Sequence, residues 1–308
     1  MTETGTDDGF EAWLRDRTPE RGLRPKSAAV LEVLVSQPRR ASFGSTAELA
    51  QLAGVNVATV TRTAQALGFA GWPALQQELR ARYMSSLSAP QVAEEHRDVD
   101  SPGSASLRRD LDSLALLNRR FAEDEIRQVA EAVAGARRTV VIADGSYAAV
   151  GIAFAHNARL AGYDVHAITA GDAELANATA KLSSEDVLIA ISFWRLYEST
   201  VLAANEAKAR GARAFAITDA ASPALAGAVE QVLMVPAEGV TFFPSLTAGM
   251  SLVQAIVAQL AAVDPVRTGE SIEAAEAMWS RFDLLHRRPG SADRTVPKRP
   301  TGGGVSAG

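Results

Sequence analysis

The sequence predicts an α/β protein in two parts, an N-terminal all-α helix-turn-helix domain and a C-terminal αβα sandwich on a five-stranded parallel sheet. Three observations predict it. Between 45 and 67 a capping pattern, a turn glycine and a second capped helix follow in succession. From residue 139 five short apolar runs alternate with helical stretches, the pattern of a parallel sheet covered on both faces. Charge divides the same way: residues 21–82 hold eight basic and three acidic side chains, whereas the chain beyond holds 21 basic and 27 acidic. A compact basic head on an acidic body suits contact with a polyanion through the head alone.

Residues 1–20 are polar and acid-rich apart from Phe10, Trp13 and Leu14, and read as a loose arm or short helix. The head, at 21–84, reads as four short helices. Residues 27–36 carry Val30, Leu31 and Leu34 on one face and stop before Pro38, which cannot continue the ladder. Ser45 with Glu48 three residues on is a capping box and opens a helix through Leu52. Gly54 supplies the sharp turn, and Asn56 caps a further helix over 56–67. Around Gly54 the inward positions are Leu49, Ala50, Ala53, Val55 and Val60, small or aliphatic as two crossed helices require.

The outward face of that second helix is then Asn56, Val57, Ala58, Thr61, Arg62 and Gln65. Thr61 and Gln65 donate and accept toward base edges, Val57 and Ala58 suit a thymine methyl, and Arg62 forks onto guanine or clamps a phosphate. Arg39, Arg40, Arg80 and Arg82 suit backbone contacts, each steepening the salt dependence of binding. Phe69, Trp72 and Leu75 read as the head's own core. Segment 85–105 lacks apolar periodicity and reads as a linker, 106–286 as the second domain, and 287–308, rich in Gly, Pro and Ser, as a disordered tail.

In the second domain the runs 139–143, 165–169, 187–192, 214–218 and 232–235 read as strands, and 148–161, 198–210 and 222–228 as helices between them. Two more apolar-striped helices follow, at 245–263 and 270–285, suited to a dimer surface or to packing on the sheet. Ligands of such sheets bind beyond the strand C-termini, where loops lead into helix N-termini. Hydroxyls at Ser146 and Ser192, with Arg195 and Tyr197 beside them, are the candidates there for a small anion.

Composition narrows the chemistry. Of the 308 residues 47% are hydrophobic, net charge is −5 and there is no cysteine, which removes disulfides, cysteine-ligated metals and thiol nucleophiles. Histidines 96, 156, 166 and 286 form no ligand pair, and neither a dinucleotide fingerprint nor a P-loop lysine is present. No metal, cofactor or catalytic residue is therefore expected. No apolar run reaches the length of a membrane span and no secretory signal opens the chain, so a cytoplasmic location is expected.

The run from Ser45 to Arg62, followed by Leu67-Gly68-Phe69-Ala70-Gly71-Trp72, resembles the N-terminal domain of RpiR/MurR-type bacterial transcriptional regulators. Residues 125–262 resemble a sugar isomerase (SIS) domain, which follows the helix-turn-helix in that family; Asp186 to Ser192 and the 222–229 run carry the likeness. The resemblance implies a five-stranded parallel αβα sandwich that binds a phosphosugar or related metabolite at Ser/Thr-rich loops and assembles as a homodimer or homotetramer. It implies a regulator with two partners, double-stranded operator DNA and a sugar-derived effector. One departure stands out. Such domains read Ser-x-Ser-Gly-x-Thr where this chain has Ser192-Phe193-Trp194-Arg195-Leu196-Tyr197; either Arg195 replaces the lost hydroxyls or the ligand is not a phosphosugar. The alternative function is a phosphosugar aldose–ketose isomerase with an accessory helical domain. Its proton transfer needs a carboxylate or histidine at the strand ends, and Asp144, Asp172, Glu198 and His156 form no recognisable constellation.

Overall fold

In a computed structural model, residues 7–285 are described apart from 98, 170, 171 and 221. The expected tail at 287–308 and His286 lie outside the described residues.

The head is built from α1 (Asp7–Asp16), α2 (Pro25–Ser36), α3 (Pro38–Phe43), α4 (Thr46–Leu52), α5 (Val57–Ala66) and α6 (Trp72–Ser86). Its core joins Val30, Leu31, Leu34, Leu49, Val60, Leu67, Trp72 and Leu75. Two features go beyond the sequence reading. Pro38 ends α2 as expected and also opens α3, because a proline at the first helical position lacks only an amide that has no partner there. The N-terminal arm is an amphipathic helix: Phe10 and Leu14 are buried in the same core, and Trp13 packs edge-on against Phe69 at 6.2 Å.

Both arms of the capping box at α4 are formed, the Ser45 amide donating to Glu48 Oε2 at 2.6 Å and the Glu48 amide to Ser45 Oγ at 3.2 Å. The two bonds from Ser45 hold the Glu48 carboxyl below its ordinary value. Ser45→Ala is expected to cost about 1 kcal/mol, read as a lower urea midpoint with an unchanged slope.

Segment 85–105, expected as a linker, contains helix α7 (Ala89–Glu95) and the start of α8 (Pro102–Arg120). Their anchors are remote polar groups: Glu95 pairs with Arg39 of the head at 2.8 Å, and Asp110 accepts from Ser245 Oγ and Thr247 Oγ1 at 2.5 and 2.8 Å. A third helix, α9 (Glu123–Gly135), leads into the sheet.

The sheet comprises β1 (Arg138–Ala143), β2 (Val165–Ile168), β3 (Asp186–Ser192), β4 (Arg213–Thr218) and β5 (Gln231–Met234), in the order β2-β1-β3-β4-β5 and parallel throughout. Between strands run α10 (Ala148–Leu160), α11 (Asp172–Ala180), α12 (Glu198–Ala209) and the single turn α13 (Pro223–Ala226), and the chain continues through α14 (Thr247–Val263) and α15 (Pro265–Arg281). One core layer packs Val129 of α9, Phe154 of α10 and Ile256 of α14 on the sheet; the other packs Leu175 of α11, Ala204 of α12 and Leu225 of α13. β3 is buried along its whole length, as its run of Val, Leu and Ile requires. The strand order reverses between β1 and β3, which places a crevice at their C-terminal ends. Among the described residues no single helix is long and apolar enough to cross a membrane.

Candidate functional sites at the reading helix and the strand ends

The first site is α5. Gly54 turns the chain at φ +63°, and Asn56 Oδ1 accepts from the Thr59 amide at 2.9 Å and from Thr59 Oγ1 at 2.8 Å, fixing the start of the helix. The buried side of α5 is Thr59, Val60, Thr63 and Ala64. Asn56, Val57, Ala58, Arg62 and Gln65 are exposed and Thr61 half-exposed. All six predicted groove-facing residues therefore share one accessible face. Arg62 Nη2 donates to Thr59 Oγ1 at 3.3 Å, which holds its guanidinium at the border between that face and the buried side.

The flanking arginines divide. Arg40 and Arg39 are exposed, Arg39 in an ion pair with Glu95. Arg80 and Arg82, expected at a phosphate backbone, are instead engaged inside the protein, Arg80 where α6 meets the second domain and Arg82 within the head. Arg80 Nε donates to Ser42 O at 3.1 Å and its Nη1 pairs with Glu238 at 3.3 Å. Arg82 is half-buried, pairs with Glu78 at 3.0 Å and lies 4.2 Å from the Trp13 ring centroid, both within the head. Sequence alone shows no sign that α6 would turn Arg80 toward the second domain.

The second site is the C-terminal edge of the sheet. Ser146 is exposed in the single 3₁₀ turn Gly145–Tyr147 after β1. Tyr197 is also exposed and its ring packs against that of Tyr147, centroids 6.3 Å apart. A Cβ on Gly145 would lie 3.7 Å from the Tyr197 hydroxyl, so Tyr197 lies over this turn. Ser192 differs from the expectation: it is buried, and its hydroxyl donates at 2.9 Å to the carbonyl of Arg195. Tyr147 donates to the same carbonyl at 3.1 Å, and burial pushes its phenol well above the ordinary value. Ser192 thus fixes the shape of the 193–197 loop. The side chain of Arg195 leads away from Ser146, lying 4.6 Å from the Trp194 ring centroid and donating to Leu87 O at 3.3 Å.

That loop is also where the two domains meet. Trp194 has the left-handed φ of +62°. Its amide donates to Asp219 Oδ1 at 2.9 Å, and its indole Nε1 donates to Met84 O, the last turn of α6, at 2.8 Å. A cleft of about 1330 Å³ opens between the head and the ends of β3 and β4, with Arg82, Tyr83 and Ser86 on one side and Ser192, Arg195 and Ser222 on the other.

Asp219, which directly follows β4, is not singled out by the sequence reading. Enclosure beneath the head, ahead of the nearby Glu78 carboxylate, pushes its carboxyl up to about 7. Between its ordinary 3.8 and 7 the folded chain holds a proton that the unfolded chain has released. Stability contributed by this group is therefore full below pH 4 and lost as pH rises through 7. Asp219→Asn is expected to flatten that slope and to raise stability above pH 7, checked by urea midpoints at pH 5 and pH 8. Among the alternative's acid–base candidates, His156 lies exposed on α10 and Glu198 exposed at the start of α12. Among the described residues no group of three or more His, Cys, Asp or Glu is placed to hold a metal.

Comparisons with known proteins match both halves. The family model described as a helix-turn-helix domain of the rpiR family matches residues 17–86, and that of the SIS domain matches residues 132–264. The chain is 28% identical over 211 residues to the uncharacterised HTH-type transcriptional regulator YfhH of Escherichia coli K12, covering 67% of this chain and 74% of that protein. Among solved structures, the Vibrio vulnificus NanR protein complexed with ManNAc-6P aligns over 90% of this chain and all of its own, at 18% identity and a TM-score of 0.57. The sugar isomerase domain of an RpiR transcription factor from Sphaerobacter thermophilus aligns over 58% of this chain and 99% of its own, at 24% identity and a TM-score of 0.55. At these identities the two structures establish a shared fold.

Proposed function

Because the chain belongs to the RpiR-type transcriptional regulators, an rpiR-family helix-turn-helix domain joined to a SIS domain, we propose that it binds double-stranded operator DNA with an affinity set by a sugar phosphate or related carbohydrate metabolite. α5 enters the major groove and presents Asn56, Val57, Ala58, Thr61, Arg62 and Gln65 to base edges, while Arg39 and Arg40 meet phosphates. Two such heads in a homodimer or homotetramer read half-sites about one helical turn apart or a multiple of it. The exposed Ile272 and Met278 of α15, with Phe282 just beyond its end, are suited to that association. A cytoplasmic site of action is part of the same reading.

The effector site is the C-terminal edge of the sheet, where Arg195 lines the cleft, Ser146 and Tyr197 flank it on the turn after β1, and Ser192 holds the loop. One observation supports this reading most. The loop that borders the cleft is the loop that grips the head, through Trp194 to Met84 and Arg195 to Leu87. An anion drawn to the Arg195 guanidinium competes with the Leu87 carbonyl, so occupancy of the cleft and the position of the head are coupled. By linkage, an effector that weakens duplex binding tenfold is itself bound tenfold more weakly by the DNA complex, about 1.4 kcal/mol.

The test is fluorescence anisotropy of a labelled duplex from the gene's own upstream region, with hexose 6-phosphates, amino-sugar 6-phosphates and sugar acids added in turn. A metabolite-dependent shift in duplex affinity is expected, and Arg195→Ala is expected to need about tenfold more metabolite for the same shift, the loss of one charge-assisted contact. Interconversion of sugar phosphates without retention of any duplex would establish the isomerase reading instead.

A further inference from the structure

A second cavity lies on the other side of Trp194 and Asp219 from the strand-end cleft. It measures about 320 Å³, opens to solvent, and is lined by α6 of the head, by α7 and α8, and by the segment 236–244 that follows β5. Its polar wall is a three-residue cluster drawn from three elements. Arg80 of α6 and Arg109 of α8 converge on the single carboxylate of Glu238, at 3.3 and 2.8 Å. The three side chains are 19 to 32% exposed, so their charges are only partly screened by solvent. Two guanidiniums thus share one internal anion, with Asp112, exposed on the next turn of α8, at the cavity lining. The remaining Asp219 carboxyl holds its proton to about 7. Part of the lining is aromatic: Phe242 meets the Trp194 ring at right angles, centroids 5.0 Å apart, and Phe243 continues the pair at 5.2 Å.

We infer that this cavity is a ligand site distinct from the strand-end site, taking a small molecule that carries one anionic group on an apolar ring. The anion meets Arg80 and Arg109 where Glu238 now sits, and the ring packs on Trp194 and Phe242. The volume suits a molecule of this kind, at the small end of ligand pockets. Glu238 acts as the resident competitor: its carboxylate satisfies the arginines when the cavity is unliganded, and a ligand anion that replaces it releases the ion pair between α6 and the 236–244 segment. The head is thereby addressed by a second input, since Arg80 and Met84 belong to the same helix.

Isothermal titration of the full-length protein tests this without DNA or sugar phosphate, so its outcome is separate from that of the proposed regulation. The probes are phenylacetate and phenyl phosphate, which share the ring and differ in the anion, against benzyl alcohol and inorganic phosphate, each of which lacks one of the two features. Saturable binding of at least one ring-bearing anion is expected, tighter than both controls. Arg109→Gln is expected to weaken it about tenfold, by loss of a charge-assisted contact, and Glu238→Gln to tighten it about tenfold, because the internal competitor is gone. The gain in Glu238→Gln cannot be produced by misfolding. Equal binding of benzyl alcohol or inorganic phosphate, unchanged affinity in both variants, or no binding by wild type and Glu238→Gln alike would overturn the inference.

Discussion

Arg62→Ala is expected to weaken binding of the operator duplex by about 1–3 kcal/mol, roughly five- to 150-fold, with no change in the fold. Arg62 is exposed on the accessible face of α5, and its one intramolecular hydrogen bond among the described residues, to Thr59 Oγ1 at 3.3 Å, is long. Nothing in the packing of the head needs it: the buried side of α5 is carried by Thr59, Val60, Thr63 and Ala64. Loss at one base pair, with weaker discrimination at that position, identifies a base contact. A uniform loss across sequences with a salt slope lower by about one identifies a phosphate contact. Anisotropy titrations against the upstream duplex and a scrambled one, at two salt concentrations, separate the two, and urea unfolding checks that stability is unchanged.

Phe193→Ala is expected to cost about 3–5 kcal/mol of stability, the largest effect among single side chains at the strand ends. Phe193 is 1% exposed and meets Tyr147 edge-on at 5.8 Å. Its ring is seated against α14 at Gly249, where a Cβ would lie 2.7 Å from Cζ. A glycine on the helix is what admits the ring, so its removal leaves a cavity between β3 and α14 that neither neighbour is placed to fill. Because Phe193 immediately precedes Trp194, the loss also slackens the loop that holds the head. Urea midpoints report the first effect, and a faster proteolytic cut near 87–105 reports the second.

The strands were legible because parallel-sheet strands are apolar on both faces: the runs at 139–143 and 187–192 match β1 and β3 to within a residue. The reading helix was legible for a different reason, since caps and turn glycines act over three or four residues and Ser45, Glu48, Gly54 and Asn56 each do locally what their chemistry dictates. α7 and α8 were not legible. Their anchors, Glu95 to Arg39 and Asp110 to Ser245 and Thr247, are 56 and more residues away in the chain, and Leu107 and Leu111 face solvent and blur the periodicity of α8. The same limit applies at the site. Arg195 was visible as a charge at a strand end, but its turn toward Leu87, the burial of Ser192 and the raised carboxyl of Asp219 all depend on where the head rests.

The two rims of the sheet, β2 and β5, are four residues long. Each offers only a few unpaired backbone groups to a neighbouring strand, and a rim so short gives an incoming chain little to grip. Such rims steer copies of this protein away from joining edge to edge into a continuous ribbon.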